Sequence, residues 1–166
     1  PVDAEQHIAE LSKAPTLSAE QLEQLKLTQI RMLVTQGNMD QALSSLDAFL
    51  KTRPAHVMAR EIQVRILANQ NRVDEALAAI NQAIAADELP ELRLLQAQLL
   101  LKKNDLMAAR VSLKRMLMLE PESDTAAIML SGIALKENRA EDAENILRQF
   151  LLPYPQAMRV SHALGK

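Results

Sequence analysis

The sequence contains no cysteine. That absence excludes disulfides and thiolate metal sites and is compatible with any compartment. Aromatics are nearly missing too, since Phe49, Phe150 and Tyr154 are the full set. So few argue against a sheet and provide no stacking platform for nucleic acid. Glycine stands only at Gly37, Gly132 and Gly165. Scattered in this way, the glycines cannot form a phosphate-cradling loop. No apolar run approaches the length that spans a bilayer. Lys and Arg total 19 and Asp and Glu 21, a formal net charge of −2, so the basic balance of a nucleic-acid binder is lacking. His7, His56 and His162 each stand alone, with no pair one helical turn apart for a metal and no nucleophile–base pairing. Glu120, Glu122 and Asp124 lack the alternating ligands and turn glycine of a calcium loop; Ser123 or Asp124 capping a helix explains them better. No catalytic centre, cofactor or metal is expected.

What remains is a chain rich in helix formers, with 48% hydrophobic and 24% charged residues. Its main signal is a repeat. Ala42, Ala76, Ala109 and Ala143 each precede a Leu or Ile by one turn: Leu46, Ile80, Leu113 and Leu147. Five residues before each alanine stands Gly37, Asn71, Asn104 or Asn138. Gly and then Asn adopt the left-handed conformation most cheaply, so each ends a helix. Asn38 and Asp105 follow as N-caps. The alanine marks a close helix crossing. Pro54, Pro121 and Pro155 then stop the second helix of their pairs; Glu88 holds that place in the second pair, with Pro90 beyond it. Helices are predicted at about 3–13, 19–36, 39–52, 57–70, 73–86, 90–103, 106–119, 124–137, 140–151 and 157–166.

This pattern resembles the tetratricopeptide repeat over roughly residues 23–156. The resemblance implies an all-α, right-handed superhelical solenoid of antiparallel helix pairs. Four repeats are expected within 19–157, at about 23–56, 57–89, 90–123 and 124–157. The family's Leu-small pair in the first helix appears as Leu130-Ser131, but Gln29-Ile30, Gln63-Val64 and Gln96-Ala97 depart from it. Residues 1–18 read as the second helix of a preceding repeat plus a connector, because Ala4, Ile8 and Leu11 repeat the spacing of Ala42, Leu46 and Phe49. Leu17-Ser18-x-x-Gln21-Leu22 reads as a capping box with a hydrophobic staple. Residues 158–166 read as the start of a further helix, with Leu164-Gly165 as its Leu-small pair. With Pro1 first and incomplete pairs at both ends, the chain is expected to be a piece of a longer array.

The resemblance also implies function. In this family the first helices line a concave face that binds polypeptides. That face is expected to carry Leu27, Arg31, Thr35, Ile62, Arg65, Asn69, Leu94, Gln98, Lys102, Ile128, Met129, Gly132 and Lys136. Arg31 and Arg65 would stack as a basic ladder, with Leu94, Ile128 and Met129 as an apolar stretch beyond it. Arg65 also stands four residues after Glu61, the spacing of a simple surface pair. The family's carboxylate clamp uses Lys and Asn where this sequence has Leu27, Glu61 and Leu94, so a C-terminal carboxylate is not the expected ligand. The expected partner is a protein or peptide, an amphipathic helix among the forms it could take, with no nucleic acid and no membrane span in this segment. Homo-oligomers could form through the terminal helices. Gly132 reads as a close helix contact, or as room for a ligand against the backbone. Met32, Met116, Met118 and Met129 read as core. Arrays of this kind often serve bacterial envelope assembly, in pilus, polysaccharide-export or outer-membrane systems. That favours a periplasmic or membrane-associated place; the alternatives are a cytoplasmic adaptor or the non-catalytic arm of a larger multidomain enzyme.

Overall fold

Four chain reversals set the architecture, and all four use the same backbone geometry. Gly37, Asn71, Asn104 and Asn138 have φ of 82°, 61°, 62° and 58°. At each, the N–H of the following residue donates back to a carbonyl five residues earlier: Asn38 to Leu33, Arg72 to Leu67, Asp105 to Leu100 and Arg139 to Ala134, each at 2.9 Å. A left-handed residue closed by this bond ends one helix and aims the chain into the next.

The computed structural model describes residues 18–165. Nine helices run through them: α1 (Ala19–Thr35), α2 (Met39–Thr52), α3 (Val57–Asn69), α4 (Val73–Ala86), α5 (Pro90–Lys102), α6 (Leu106–Leu119), α7 (Asp124–Lys136), α8 (Ala140–Leu151) and α9 (Met158–Ala163). The described residues contain no strand. The predicted helix at 3–13 and the staple residue Leu17 lie outside them. Ser18 does form the capping box, its Oγ accepting from the Gln21 N–H at 3.1 Å while its own N–H donates to Gln21 Oε1 at 2.8 Å. Asp105 caps α6 through the Ala108 N–H at 3.0 Å. Asn38 sits at the N-cap of α2 without a side-chain cap bond, its amide turning instead to Gln36.

Each pair packs antiparallel around its alanine. Ala42, Ala76 and Ala109 have no exposed surface and Ala143 is 4% exposed; Leu46, Ile80 and Leu113 are equally enclosed. A methyl group there lets two backbones approach, and the larger side chain one turn on fills the space beside it. Full burial of such a Leu or Ile stabilises by about 1.5–3 kcal/mol. The core continues along the array, from α1 to α5, then through α5–α7, then α7–α9. The result is a right-handed superhelical solenoid of antiparallel pairs.

Three sequence expectations need correction here. The last helix stops at Ala163, with Leu164 as its C-cap and Gly165 at φ 78°. Gly165 therefore stands past the end of this helix rather than inside it. Met118 is 71% exposed, so it is not core; it lies on the outward side of α6 with Met107 and Val111. Ser123 occupies the N-cap of α7 without a side-chain cap bond, its carbonyl accepting from the Ala127 N–H at 3.2 Å, and Asp124 is engaged by Arg159 at 3.0 Å.

Candidate functional site: the face of the first helices

The first helices of the pairs are α1, α3, α5, α7 and α9. Direct contact joins α1 to α3 and α7 to α9. In the tetratricopeptide pattern these first helices are the ones expected to line the concave face. Side-chain bonds run along this face. Arg31 places Nη2 2.9 Å from Met58 Sδ, bridging α1 to α3. Lys102 donates from Nζ to the Ala68 carbonyl at 2.8 Å, bridging α5 to α3. Arg159 reaches Asp124 and Thr125, bridging α9 to α7.

The predicted site residues fall into register columns. Leu27, Glu61, Leu94 and Ile128 form one column. Arg31, Arg65, Gln98 and Gly132 form the next, one turn on. Thr35, Asn69, Lys102 and Lys136 form a third. The first column borders the core. Leu27 is only 3% exposed and is a core residue, not a groove residue as expected. Leu94 and Ile128 are half-buried against the core, as are Ile62 and Met129 from the neighbouring positions. The second and third columns are exposed, except Gly132, which is half-buried.

The basic ladder takes a different form. Arg65 donates twice to Glu61 Oε1, at 3.0 and 2.7 Å, on its own helix. Its charge is thus partly spent within α3, while Arg31 lies over a thioether. Both side chains remain exposed, so the pair is two separately held cations rather than a stack. At Gly132 a Cβ would meet nothing within 4 Å outside its own helix. The close helix contact expected there is absent, and the backbone of α7 is open.

Sequence reasoning missed two features. His56 caps α3, accepting from the Ala59 N–H at Nδ1 (3.2 Å), with Nε2 3.0 Å from Glu23 and its ring edge-on to Phe49. It is a structural joint between the first and second pairs. The glutamines that replace the family's Leu are joints as well. Gln63 donates to Asp47 at 2.9 Å and Gln96 to Asn81 at 2.7 Å, each tying a first helix to the second helix before it. The signal was present as Gln29, Gln63 and Gln96 at one repeat position, with Asp47 and Asn81 also in phase.

Models of the tetratricopeptide repeat match residues 27–89 and 100–166. The chain belongs to the tetratricopeptide-repeat family. A search of curated proteins finds no match. Among solved structures the tetratricopeptide fold recurs at low identity. MamA from Desulfovibrio magneticus RS-1 is 18% identical with a TM-score of 0.71, over 100% of this chain and 88% of that one. YrrB, described as a TPR protein with an unusual peptide-binding site, is 16% identical with a TM-score of 0.67, over 85% and 73%. PilF of Pseudomonas aeruginosa is 16% identical with a TM-score of 0.67, over 86% and 65%. These likenesses show the fold. Tetratricopeptide arrays are typically protein-interaction scaffolds without catalysis of their own.

Proposed function

We propose that this chain is a scaffold whose concave face binds an acidic, amphipathic polypeptide segment. One observation carries the reading. The two exposed columns of the first helices hold Arg31, Arg65, Lys102 and Lys136 and no carboxylate, although the whole chain has a formal net charge of −2. Positive charge therefore exceeds negative charge in these two columns. Such a face steers and orients an acidic partner more than it adds raw affinity. Half-buried Leu94, Ile128 and Met129, with the open backbone at Gly132, offer apolar contact at the far end. A helix laid in a groove uses this combination of apolar anchors and polar rim.

The test is fluorescence anisotropy with a panel of acidic amphipathic peptides, in low and in high salt. Wild-type protein should bind at least one, more weakly as salt screens the charges. The triple variant Arg31→Glu, Lys102→Glu, Lys136→Glu should lose that binding while its circular-dichroism spectrum stays helical. Binding indifferent to both salt and charge reversal overturns the reading. A role in envelope assembly is the finer form of this proposal; it is supported only by the family resemblance and the shared fold with PilF.

A further inference from the structure

The outward side of α6 departs from its counterparts in the other pairs. Met107, Val111, Lys114 and Met118 follow one another at steps of four, three and four residues, which sets them in one line along the helix. Met107, Val111 and Met118 are 72%, 62% and 71% exposed, and Lys114 between them is exposed too. The same line is exposed in every second helix, but elsewhere it is mostly polar or small. Its first place holds Asp40 in α2, Asp74 in α4 and Glu141 in α8, where α6 has Met107. In the first two joints the line ties one pair to the next. Asp40 accepts from Gln70 at 3.3 Å and Asp47 from Gln63 at 2.9 Å. Asp74 accepts from Lys103 at 2.6 Å and Asn81 from Gln96 at 2.7 Å. At the third joint the counterparts are Met107 and Lys114, and neither makes its tie. Leu130 stands where Gln63 and Gln96 stood, and Glu137, in the place of Gln70 and Lys103, is taken by Arg110 and Arg139. Lys114 has no hydrogen-bond or ion-pair partner among the described residues.

We propose that this line on α6 is a docking seam for an amphipathic helix of a partner protein, one that carries a carboxylate at the centre of its apolar face. The spacing of four, three and four is that of a two-helix coiled-coil seam, in which apolar side chains of each helix fit between those of the other. Exposed apolar side chains in one line mark a contact surface where the same side chains scattered singly would not. The central lysine decides the chemistry of the occupant. α6 carries Arg110, Lys114 and Arg115 and no carboxylate. Arg110 is held by Glu137 and Arg115 by Glu88, so Lys114 is the cation left for an incoming acid. A charge in such a seam selects the partner that neutralises it. A second copy of α6 would set these cations against their own kind, which disfavours self-pairing. The seam lies on a second helix, apart from the exposed columns of the first helices. It is therefore a separate site from the concave face, and the two do not compete.

The test uses the full chain and two synthetic helical peptides with leucine at the matching apolar places, one with Glu and one with Lys at the centre. In fluorescence anisotropy the wild type should bind the Glu peptide about tenfold more tightly than the Lys peptide. Lys114→Glu should invert that preference. The triple variant Met107→Ser, Val111→Ser, Met118→Ser should lose the Glu peptide and keep its helical circular-dichroism spectrum, because these side chains are outside the core. The variant Arg31→Glu, Lys102→Glu, Lys136→Glu should bind the Glu peptide as the wild type does. Binding lost in that variant and kept in the serine variant overturns the proposal, since the peptide would then sit on the first helices. Equal affinity for the two peptides, or none for either, overturns it as well. Sedimentation that shows a dimer in the wild type and a monomer in the serine variant overturns it in favour of a second copy. Flotation of the wild type, and not of the serine variant, with phosphatidylserine–phosphatidylcholine vesicles overturns it in favour of a lipid surface.

Discussion

The turns inside the helix pairs and the connectors between pairs obey different rules. Inside a pair the four turns are near copies: a left-handed Gly or Asn, the same backbone bond at 2.9 Å, then a buried alanine five residues on. Between pairs, each connector is held in its own way. The first uses His56 bonded to Glu23, beside Pro54. The second has Glu88, joined to Arg93 at 2.7 Å and to Arg115 at 2.8 and 2.7 Å. The third has Pro121, and beyond it Asp124 is held by Arg159 at 3.0 Å. The pair is thus the unit that short-range sequence dictates. The joint is where side chains of distant repeats must find one another, and more than one chemistry serves.

If that contrast is right, damage inside a pair should cost most. Leu113→Ala removes a side chain with no exposed surface and leaves a cavity between α5 and α6. It should destabilise by about 2–5 kcal/mol in urea unfolding. Ala109→Leu attacks the same pair from the opposite direction by overfilling the crossing, at a cost of about 1–3 kcal/mol. If either proved neutral, α5 and α6 would not pack as closely as the burial of these residues requires.

The turn itself comes next. Asn104 holds φ 62°. Asn104→Ala should cost about 1–2 kcal/mol, the penalty of placing Cβ in a left-handed residue. Asn104→Gly should be neutral or mildly stabilising. Chemical denaturation of the two variants separates backbone strain from any side-chain role: equal losses in both would show that the Asn amide, not its φ, matters.

The same contrast explains what was legible in the sequence. The within-pair turns, the alanines and the helix limits follow from local periodicity, and most predicted bounds differ from the observed ones by no more than a residue. Leu27 and Met118 were misread because their environment is set by neighbours far away in sequence. Leu27 and Arg31 are one turn apart on α1, yet one is core and the other exposed, since the core edge falls between their columns. Met118 lies only two residues from buried Met116, on the side of α6 that no helix covers. The Arg65 pairing with Glu61 was legible because its partner is four residues away. The Gln63 and Gln96 joints were not, since each partner is on another helix and periodicity alone does not say which side chains meet.

The smallest expected effect concerns the second connector and is a matter of pH. Arg115 first, and Arg93 second, hydrogen-bond the Glu88 carboxylate and hold its pKa down to about 2 from the usual 4.5. A carboxyl group that binds protons less readily when folded than when unfolded contributes stability above its unfolded pKa. That contribution is intact above about pH 4.5 and fades as the pH falls toward about 2. Other carboxylates titrate in the same window, so the difference between wild type and Glu88→Gln isolates this one. The melting temperature of the wild type should exceed that of Glu88→Gln near neutral pH, and the gap should narrow steadily through that window. Because Arg115 is exposed, added salt should shrink the gap too. A gap that stayed constant with pH would mean that Glu88 joins the second and third pairs through its packing or a neutral hydrogen bond, and that its charge is irrelevant to the joint.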